Sequence, residues 1–499
     1  MVAFLSDPAS HGGHPVVRVE THGAIVFLAG DRAWKLKRAV RFPYMDFSTP
    51  ELRRAACAAE IRLNRRTAPE IYLEAPAVTR EADGRLAIGG AGEPVDWLVA
   101  MRRFPDDSVL DRVADRGGVD AALAEAIADH VADFHAAAER RPEVGGVDAL
   151  RRVAETNARV FADCAPVLPA TDTAALGAET MRRLDAFAPL IERRRRDGYV
   201  RLCHGDLHLA NICLLDGAPR LFDALEFDER LIEIDVLYDA AFLVMDLWAR
   251  GLRAEAQRFL GRWVERMDDL AGLALLPVFV SLRAAIRAHV CVAMARTGKT
   301  GAAERARAYL DLARDALAVE APPLVAVGGL SGTGKSTVAY RLAPHLAPLP
   351  GAVVLRSDVV RKRLAGVAAQ EKAPPAAYGE AMTERVYATL RADAATALAA
   401  GRSVIVDAVH ARPDERAAIE QVAVRIGVPF HGIWLEAPAS TLVARVEARR
   451  GDASDADAGV VRRQLGYDVG PIAWIRVPAD TDAGAVAAAA HRIVDPAAD

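Results

Sequence analysis

The amino-acid sequence predicts two domains, an α+β domain of two lobes followed by an α/β domain built on a parallel sheet. Three observations support this fold class. The chain has 499 residues, which is more than one hydrophobic core usually organises. Short β-like segments dominate residues 16–99, whereas helical spacing dominates from residue 121 onward. A new alternation of strands and helices begins at Leu324, directly after two prolines that end the preceding helix.

The first lobe, about residues 16–101, is predicted to be rich in strands. Its clearest element is a hairpin in which Ala24–Leu28 and Ala33–Lys37 flank a short turn. A helix over Pro50–Arg66 interrupts the strands, and Trp97–Met101 is predicted to be the strand that leads into the second lobe. The second lobe, about residues 102–320, is predicted to be helical apart from a strand-loop-strand patch between residues 200 and 227.

The second domain is predicted to contain a parallel sheet, because its apolar strands alternate with helical segments. The predicted strands are Leu324–Val327, Val353–Leu355, Val404–Val406, Gly432–Leu435 and Trp474–Val477. We place the domain boundary between residues 320 and 321, which gives domains of residues 1–320 and 321–499.

Composition and charge indicate a soluble protein without a broad surface for polyanions. The chain is 52% hydrophobic and 26% charged, with a net charge of −4, which argues against a nucleic-acid partner. The five cysteines show no metal-ligand spacing, which predicts reduced, buried thiols. No secretory signal is visible, and the apolar run Leu270–Leu282, interrupted by Pro277, is shorter than the ~20 residues of a membrane span. A cytoplasmic protein with no membrane partner is therefore predicted.

The strongest motif is GGLSGTGKST, residues 328–337. It satisfies GxxxxGK[ST] directly after a predicted strand and before a predicted helix, and its backbone N–H groups can converge on phosphate oxygens. Lys335 is expected to reach the β and γ phosphates and Ser336 to bind Mg²⁺, with Asp407 as a carboxylate on the metal side. The predicted ATP-binding residues are Gly329, Leu330, Ser331, Gly332, Thr333, Gly334, Lys335, Ser336 and Thr337.

Charged residues after the next strand are candidates for the transfer step. Asp358 is placed to accept a proton from a substrate hydroxyl, and Arg361 lies on the same helical face, where it can hold an anionic group. A helix cap or a surface ion pair would explain the same two residues. Arg445 and Arg449 precede an acidic loop, residues 451–459, and could close over the phosphoryl group. Taken alone, such arginines are also typical of a solvated helix face.

Together, GGLSGTGKST, RSDVVRKRL, VIVDAVHARPDER and RVEARRGDASDA resemble the small P-loop kinases. That group includes gluconate kinase, adenylylsulfate kinase, polynucleotide 5′-kinase and zeta-toxin-like enzymes. The resemblance runs from about Leu324 to the C-terminus and implies an ATP-dependent kinase domain. No NKxD motif is present, which disfavours a GTPase.

A second set of candidate residues lies in HGDLHLAN, residues 204–211. Asp206 and Asn211 follow an apolar strand, in a loop. Kinase chemistry needs such a pair, because the Asp orients and deprotonates the incoming hydroxyl while the Asn binds a metal that bridges the ATP phosphates. Asp223, which follows the apolar pair Leu221-Phe222, stands where a second metal ligand is needed.

HGDLHLAN, with LFDALEF, resembles the aminoglycoside phosphotransferase family, a branch of the protein-kinase-like fold. The resemblance implies that Asp206 is the catalytic base, that the two candidate metal ligands bind Mg²⁺ and that His204 supports the loop. IEIDVLYDAAF matches a structural segment of that family. His208 and His135 have no partner visible in the sequence and are predicted to be packing or surface residues.

The strand-rich lobe should then supply a Lys for the ATP phosphates and a helix Glu to position it. Lys35 is the candidate, although Lys37 has the same strand parity and stays an alternative. Glu60 is the matching carboxylate, although a solvated helix-surface Glu would look the same. The order of the lobes and the fusion to a P-loop kinase resemble bifunctional aminoglycoside phosphotransferase and ATP-binding proteins.

The sequence therefore predicts two phosphotransferase sites that use ATP and Mg²⁺ and act on hydroxyl groups of small molecules. Aminoglycosides, sugars, nucleosides and choline-like alcohols are comparable acceptors. Two alternatives stay open. One domain could bind ATP only as a regulatory module, or the C-terminal domain could phosphorylate polynucleotide ends or a nucleotide sugar.

Overall fold

The computed structural model describes residues 1–21, 23–42, 45–368, 371–448 and 453–496. The chain divides into two compact units, residues 1–159 with 181–246 and residues 160–180 with 247–499. The second unit thus contains the helices after residue 247 together with the C-terminal parallel sheet. The domain boundary at residues 320/321 stays a prediction.

The part of the chain before residue 320 has an α+β architecture, as predicted. Its strands are β1 Val16–Glu20, β2 Ala24–Ala29, β3 Arg32–Lys37, β4 Arg41–Phe42, β5 Met45–Asp46, β6 Tyr72–Glu74, β7 Ala77–Arg80, β8 Leu86–Ile88, β9 Glu93–Arg102, β10 Val200–Leu202, β11 Ile212–Leu215, β12 Ala218–Leu221 and β13 Glu233–Asp235. Its helices are α1 Val2–Ser6, α2 Pro50–Asn64, α3 Leu110–Asp115, α4 Ala121–Ala137, α5 Gly146–Ala162, α6 Ala170–Arg196, α7 Val236–Ala249, α8 Arg253–Met267, α9 Leu276–Arg296 and α10 Ala302–Asp315.

A seven-stranded antiparallel sheet forms the strand-rich part, in the order β1-β2-β3-β9-β7-β8 with β6 also paired to β9. The predicted hairpin is confirmed as β2 and β3, which pair antiparallel around Gly30. Helix α2 begins where Thr49 accepts a hydrogen bond from the N–H of Leu52, an N-cap that satisfies one of the open donors of the first turn. Its buried face, which includes Cys57, contributes to the core beside β9.

The C-terminal part contains β14 Leu324–Gly328, α11 Lys335–Leu342, β15 Val353–Arg356, α12 Ser357–Ala365, α13 Glu380–Ala399, β16 Val404–Asp407, α14 Pro413–Ile426, β17 Phe430–Glu436, α15 Ala439–Ala448, α16 Ala458–Gln464, β18 Ile475–Pro478 and α17 Ala483–Val494. Its five strands are ordered β15-β16-β14-β17-β18, and every neighbouring pair is parallel. The predicted parallel sheet is therefore confirmed. β14 and β16 are fully buried, as expected for central strands covered by helices on both faces.

One described segment, Ala271–Arg296, is long and apolar enough to cross a membrane by length and composition alone. Within it, 72% of the most apolar window is buried inside the protein, which is typical of a core helix. Pro277 lies in the first turn of α9, where the missing N–H costs nothing. Pro277 thus lies where a 3₁₀ helix, Ala271–Leu275, gives way to α9, and the apolar segment is longer than the run expected from the sequence. All five cysteines are free and buried, as predicted.

Candidate active sites

Two lysines of β3 share one buried carboxylate. Lys35 Nζ lies 2.9 Å from Glu60 Oε1 and 2.6 Å from Asp223 Oδ1. Lys37 Nζ contacts the other oxygen of Glu60 and also Glu226. The side chain of Lys37 is 2% exposed and that of Lys35 is 14% exposed. Lys35 is thus the more exposed of the two lysines and contacts Asp223, a candidate metal ligand, whereas Lys37 lies deeper in the protein.

The charges in this cluster stabilise one another. Burial alone would lower the pKa of Lys35, but Asp223 and Glu60 raise it well above its usual value. Burial opposes ionisation of Glu60, yet the two lysines lower the pKa of its carboxyl group. The pKa of Glu226 is raised, chiefly by burial. Both lysines are therefore held in the charged form by the carboxylates around them.

The loop after β10 brings Asp206 and Asn211 together. The amide nitrogen of Asn211 donates to the backbone oxygen of Asp206 at 2.9 Å and to its carboxylate at 2.8 Å. Asp206 is one third exposed, which leaves its carboxylate accessible to a substrate hydroxyl. The backbone N–H of Asp223 donates to the hydroxyl of Tyr72 at 2.9 Å, which holds the backbone at this position. The oxygens of Asn211 and Asp223 fit the preference of Mg²⁺ for oxygen ligands.

His204 is buried, and its ring holds the loop that carries Asp206 in place. Its Nδ1 accepts the N–H of Asp206 at 3.3 Å, and its Nε2 donates to the carbonyl of Phe222 at 3.0 Å. Burial lowers the pKa of His204, so the ring stays neutral and can act as a donor and an acceptor at once. One imidazole therefore links the segment carrying Asp206 to the segment carrying Asp223.

Two histidines that the sequence left as packing or surface residues take part in this site. His208 Nε2 lies 3.4 Å from the carboxylate of Asp206. His135 is fully buried, and its Nε2 lies 3.2 Å from Asp239. Asp239 also accepts the N–H groups of His204 and Gly205. His135 acts through a contact between residues far apart in sequence, which no local motif reveals.

His135, Cys203 and Asp239 bring potential metal-ligand atoms within 4.8 Å of one another. These potential ligand atoms already form hydrogen bonds within the protein. The Asp239 carboxylate accepts two backbone N–H groups and faces His135, and the Cys203 thiol donates to the carbonyl of Ile234 at 3.4 Å. We assign this cluster to anchoring of the loop rather than to metal binding.

The phosphate-loop motif lies between a strand and a helix, as the sequence predicts. Gly329, Gly332 and Gly334 have φ values of +135°, +89° and +90°, a region that residues with a Cβ rarely adopt. A Cβ at Gly329 would lie 2.6 Å from the carbonyl oxygen of Leu435. The loop leads from β14 into α11, so its N–H groups lie at a helix N-terminus, where an anion is favoured.

The predicted metal-side residues meet at the end of β16. Ser336 Oγ donates to Asp407 Oδ2 at 2.5 Å, and Arg356 Nε lies 3.4 Å from the same oxygen. Asp407 is 4% exposed. A hydroxyl and a carboxylate in contact fit a hard cation such as Mg²⁺, so Ser336 and Asp407 are the residues that would hold it.

A cavity of about 1470 Å³ opens beside the phosphate loop. Asp358 lines it, and burial raises the pKa of this carboxyl group. Arg361 also lines it and donates to the carbonyl of Ala377 at 2.7 Å. Arg445 lines the cavity as well, but its guanidinium donates to the carbonyl of Ala479 at 2.7 Å. Arg449 lies outside the described residues.

Comparison with known proteins gives a relative over most of the chain. Residues 324–467 match the AAA domain family AAA_33. The uncharacterized protein Rv2004c of Mycobacterium tuberculosis is 35% identical over 469 residues, which cover 90% of this chain and 90% of that protein. The uncharacterized protein Mb2027c of Mycobacterium bovis matches to the same extent.

The chain belongs to the family of these mycobacterial proteins. An adenylyl-sulfate kinase of Myxococcus xanthus is 33% identical over 119 residues, which cover 23% of this chain and 59% of that enzyme. The two-domain fusion predicted from the sequence is thus supported by the match of the C-terminal half to a P-loop family and by the relatives of similar length.

Solved structures similar to each half are also found. A choline/ethanolamine kinase family protein from Mesorhizobium loti is 13% identical, covers 63% of this chain and 92% of its own, and has a TM-score of 0.39. The Mycobacterium tuberculosis APS kinase in complex with AMPPNP and APS is 23% identical, covers 35% of this chain and 98% of its own, and has a TM-score of 0.27.

Proposed function

We propose that this protein is an ATP-dependent phosphotransferase with two transfer sites, in domains 1–320 and 321–499, each acting on a hydroxyl group of a small molecule. A single observation carries the proposal. Each half contains a lysine, oxygen atoms of the kind that Mg²⁺ prefers and a carboxylate that is partly exposed or lines a cavity, and this set of residues supports the proposal. The protein is expected to act in the cytoplasm without a membrane or nucleic-acid partner.

In the N-terminal site, Asp206 is the base that orients the acceptor hydroxyl and takes its proton. Asn211 holds Asp206 in place and, with Asp223, would hold Mg²⁺, which supplies charge neutralisation for the phosphates. Lys35 leaves its contact with Asp223 to bind the nucleotide phosphates. Glu60 keeps Lys35 on the correct side of the sheet.

In the C-terminal site, the loop of residues 329–334 and Lys335 bind the phosphates, and Ser336 and Asp407 would hold Mg²⁺. Asp358 takes the proton of the acceptor hydroxyl. Burial raises the pKa of Asp358, whereas the charges of Arg356 and Lys335 lower it, so these cations favour the ionised form that accepts the proton. Arg361 and Arg445 border the space for the acceptor and the transferred group.

The likeness to an adenylyl-sulfate kinase over part of the C-terminal half supports an acceptor of metabolite size in that site. The cavity beside Asp358 has room for such a molecule, since its volume of about 1470 Å³ exceeds that of typical ligand pockets, ~300–1,000 Å³. Buried Arg361 at its wall suits an acceptor with an anionic group.

The test is a transfer screen with γ-labelled ATP over hydroxylated metabolites and antibiotics. Wild type is compared with Asp206→Asn and Lys335→Ala, and with the exposed controls Asp216→Asn and Lys299→Ala. We expect Asp206→Asn to remove one activity and Lys335→Ala the other, while both controls transfer normally. The proposal fails if neither site variant lowers any transfer that the wild type performs.

A further inference from the structure

The peptide group between Leu330 and Ser331, inside the phosphate loop, is held at both ends. Its carbonyl oxygen accepts a hydrogen bond from Lys335 Nζ at 3.0 Å. Its N–H donates to the side-chain oxygen of Gln464 at 2.7 Å. Ser331 and Gln464 are 9% and 8% exposed, so little water competes for this contact. The side chain of Gln464, which is distant in sequence, thus accepts the hydrogen bond of one N–H group of the loop, that of Ser331.

Gln464 is the last residue of α16, a short helix that packs directly on the loop. Asp457 caps this helix by accepting the N–H of Val460 at 2.9 Å. Val461 belongs to an apolar cluster with Leu442 and Val446, and Leu330 of the loop packs against that cluster. The position of α16 is therefore set by the same residues that surround the phosphate loop.

The segment that precedes α16 reaches the acceptor side of the cavity. Ser454 forms a side-chain hydrogen bond with Asp358. Asp455 accepts hydrogen bonds from the N–H of Ala373 at 2.8 Å and from the hydroxyl of Tyr378 at 2.6 Å. Residues 453–464 therefore touch the nucleotide loop at one end and the candidate base at the other.

We propose that Gln464 is a positioning residue that couples occupation of the phosphate loop to the placement of residues 453–464 over the acceptor. This inference rests on the proposed function of the C-terminal site. When the triphosphate binds, Lys335 turns to its β and γ oxygens, and the Leu330 carbonyl loses that donor. The hydroxyl of Thr333, which donates to the same carbonyl at 2.8 Å, then holds the peptide group from within the loop. Gln464 holds its N–H from outside the loop and, through α16, transmits its position to Ser454 and Asp455.

An amide suits this role better than the alternatives of similar size. It accepts the N–H of Ser331 through its oxygen, and its NH₂ group can face phosphate oxygens without repulsion. A methionine at position 464 would fill the space but would accept no comparable hydrogen bond. A glutamate would keep the acceptor and add a negative charge near the phosphates.

The test is hydrogen exchange of the full-length protein with Mg²⁺ and the non-hydrolysable analogue AMPPNP at saturation. In wild type, the nucleotide should slow exchange in peptides covering residues 329–336 and also in those covering 453–464, each at least about tenfold. In Gln464→Met we expect protection of 329–336 with no response of 453–464. Gln464→Glu should restore the response of 453–464. The exposed control Gln421→Met should behave as wild type.

The outcomes separate this inference from the proposed function. If the wild type shows no nucleotide protection of residues 329–336, the proposed nucleotide site is wrong. If Gln464→Met binds nucleotide and residues 453–464 respond as in wild type, only the coupling role of Gln464 is wrong. Should Gln464→Met fold poorly by thermal unfolding, Gln464→Asn replaces it, because the shorter amide stays polar but does not reach Ser331.

Discussion

The carboxylate of Asp239, on α7, accepts the backbone N–H of His204 at 2.9 Å. The same carboxylate accepts the N–H of Gly205 at 2.9 Å. Gly205 has φ +84°, and a Cβ there would lie 2.6 Å from the Ile232 side chain. The start of the loop that carries Asp206, where the backbone favours glycine, is therefore held by a residue of α7 in addition to His204.

Replacing Asp239 with Asn should damage the N-terminal site without removing a group that touches substrate. The amide keeps one acceptor oxygen but turns an NH₂ group toward a backbone donor, which leaves a buried N–H unsatisfied. We expect the free energy of unfolding to fall by about 1–3 kcal/mol, measured by chemical denaturation. N-terminal transfer should fall by about a factor of 10–100, while C-terminal transfer and the exposed control Asp216→Asn stay at wild-type levels.

Lys35 and Lys37 should separate in their effects, although they lie on the same face of β3. Lys35→Met should abolish N-terminal transfer with a modest loss of stability, because Asp223 beside it is partly exposed. Lys37→Met should lower the free energy of unfolding by about 3–5 kcal/mol, since it leaves Glu226 buried without its ion-pair partner and leaves Glu60 with Lys35 alone. Adding Glu226→Gln to Lys37→Met should recover part of that loss. Equal losses of stability in the two single variants would contradict this assignment.

The sequence predicts the nucleotide loop of the C-terminal half almost completely, because the signal is local. Gly329 to Ser336 follow one strand and begin one helix, so spacing alone places their N–H groups. Asp407 is also predictable, since the carboxyl ends of parallel strands lie at one edge of the sheet. Gln464 is not, because its contact with Ser331 spans 133 residues and no periodicity indicates it.

In the N-terminal half, the hairpin and α2 follow from strand and helix spacing, whereas the pair Lys35 and Glu60 follows from the resemblance to kinases. The sequence could not decide between Lys35 and Lys37, because parity places both on one side of β3. The depth of each lysine depends on Asp223 and Glu226, which lie nearly 190 residues away in the chain. The role of His135 is hidden for the same reason.

Asp407→Asn should weaken the metal dependence of the C-terminal site more than its fold. The change removes the negative charge that Ser336 and Arg356 share. We expect the Mg²⁺ concentration for half-maximal C-terminal transfer to rise by about 10–100-fold, the usual effect of disturbing groups around a metal. A Mg²⁺ titration of transfer measures this shift. Asp414→Asn, on the exposed surface of α14, is the matched control, and an unchanged titration in Asp407→Asn would remove Asp407 from the metal site.

His410 should make the protein less stable in mild acid. Its ring is buried between Tyr387 and Trp474, and neither ring nitrogen has a hydrogen-bond partner among the described residues. Burial lowers the pKa of His410 to about 3 from its usual 6.5. Between pH 6.5 and about 3, the unfolded chain therefore binds a proton that the folded protein excludes. The free energy of unfolding decreases as the pH is lowered through this range.

The His410→Phe variant keeps an aromatic ring at this position and removes the titration. At about 1.36 kcal/mol per pH unit, the wild type should lose ~2 kcal/mol more than this variant between pH 7 and pH 5. The measurement is the difference in unfolding free energy between the two proteins across that range, in which contributions from the other histidines cancel. The exposed control His14→Phe should show no such difference. Parallel pH profiles for wild type and His410→Phe would mean that water reaches the imidazole and that the protonated form is tolerated in the folded protein.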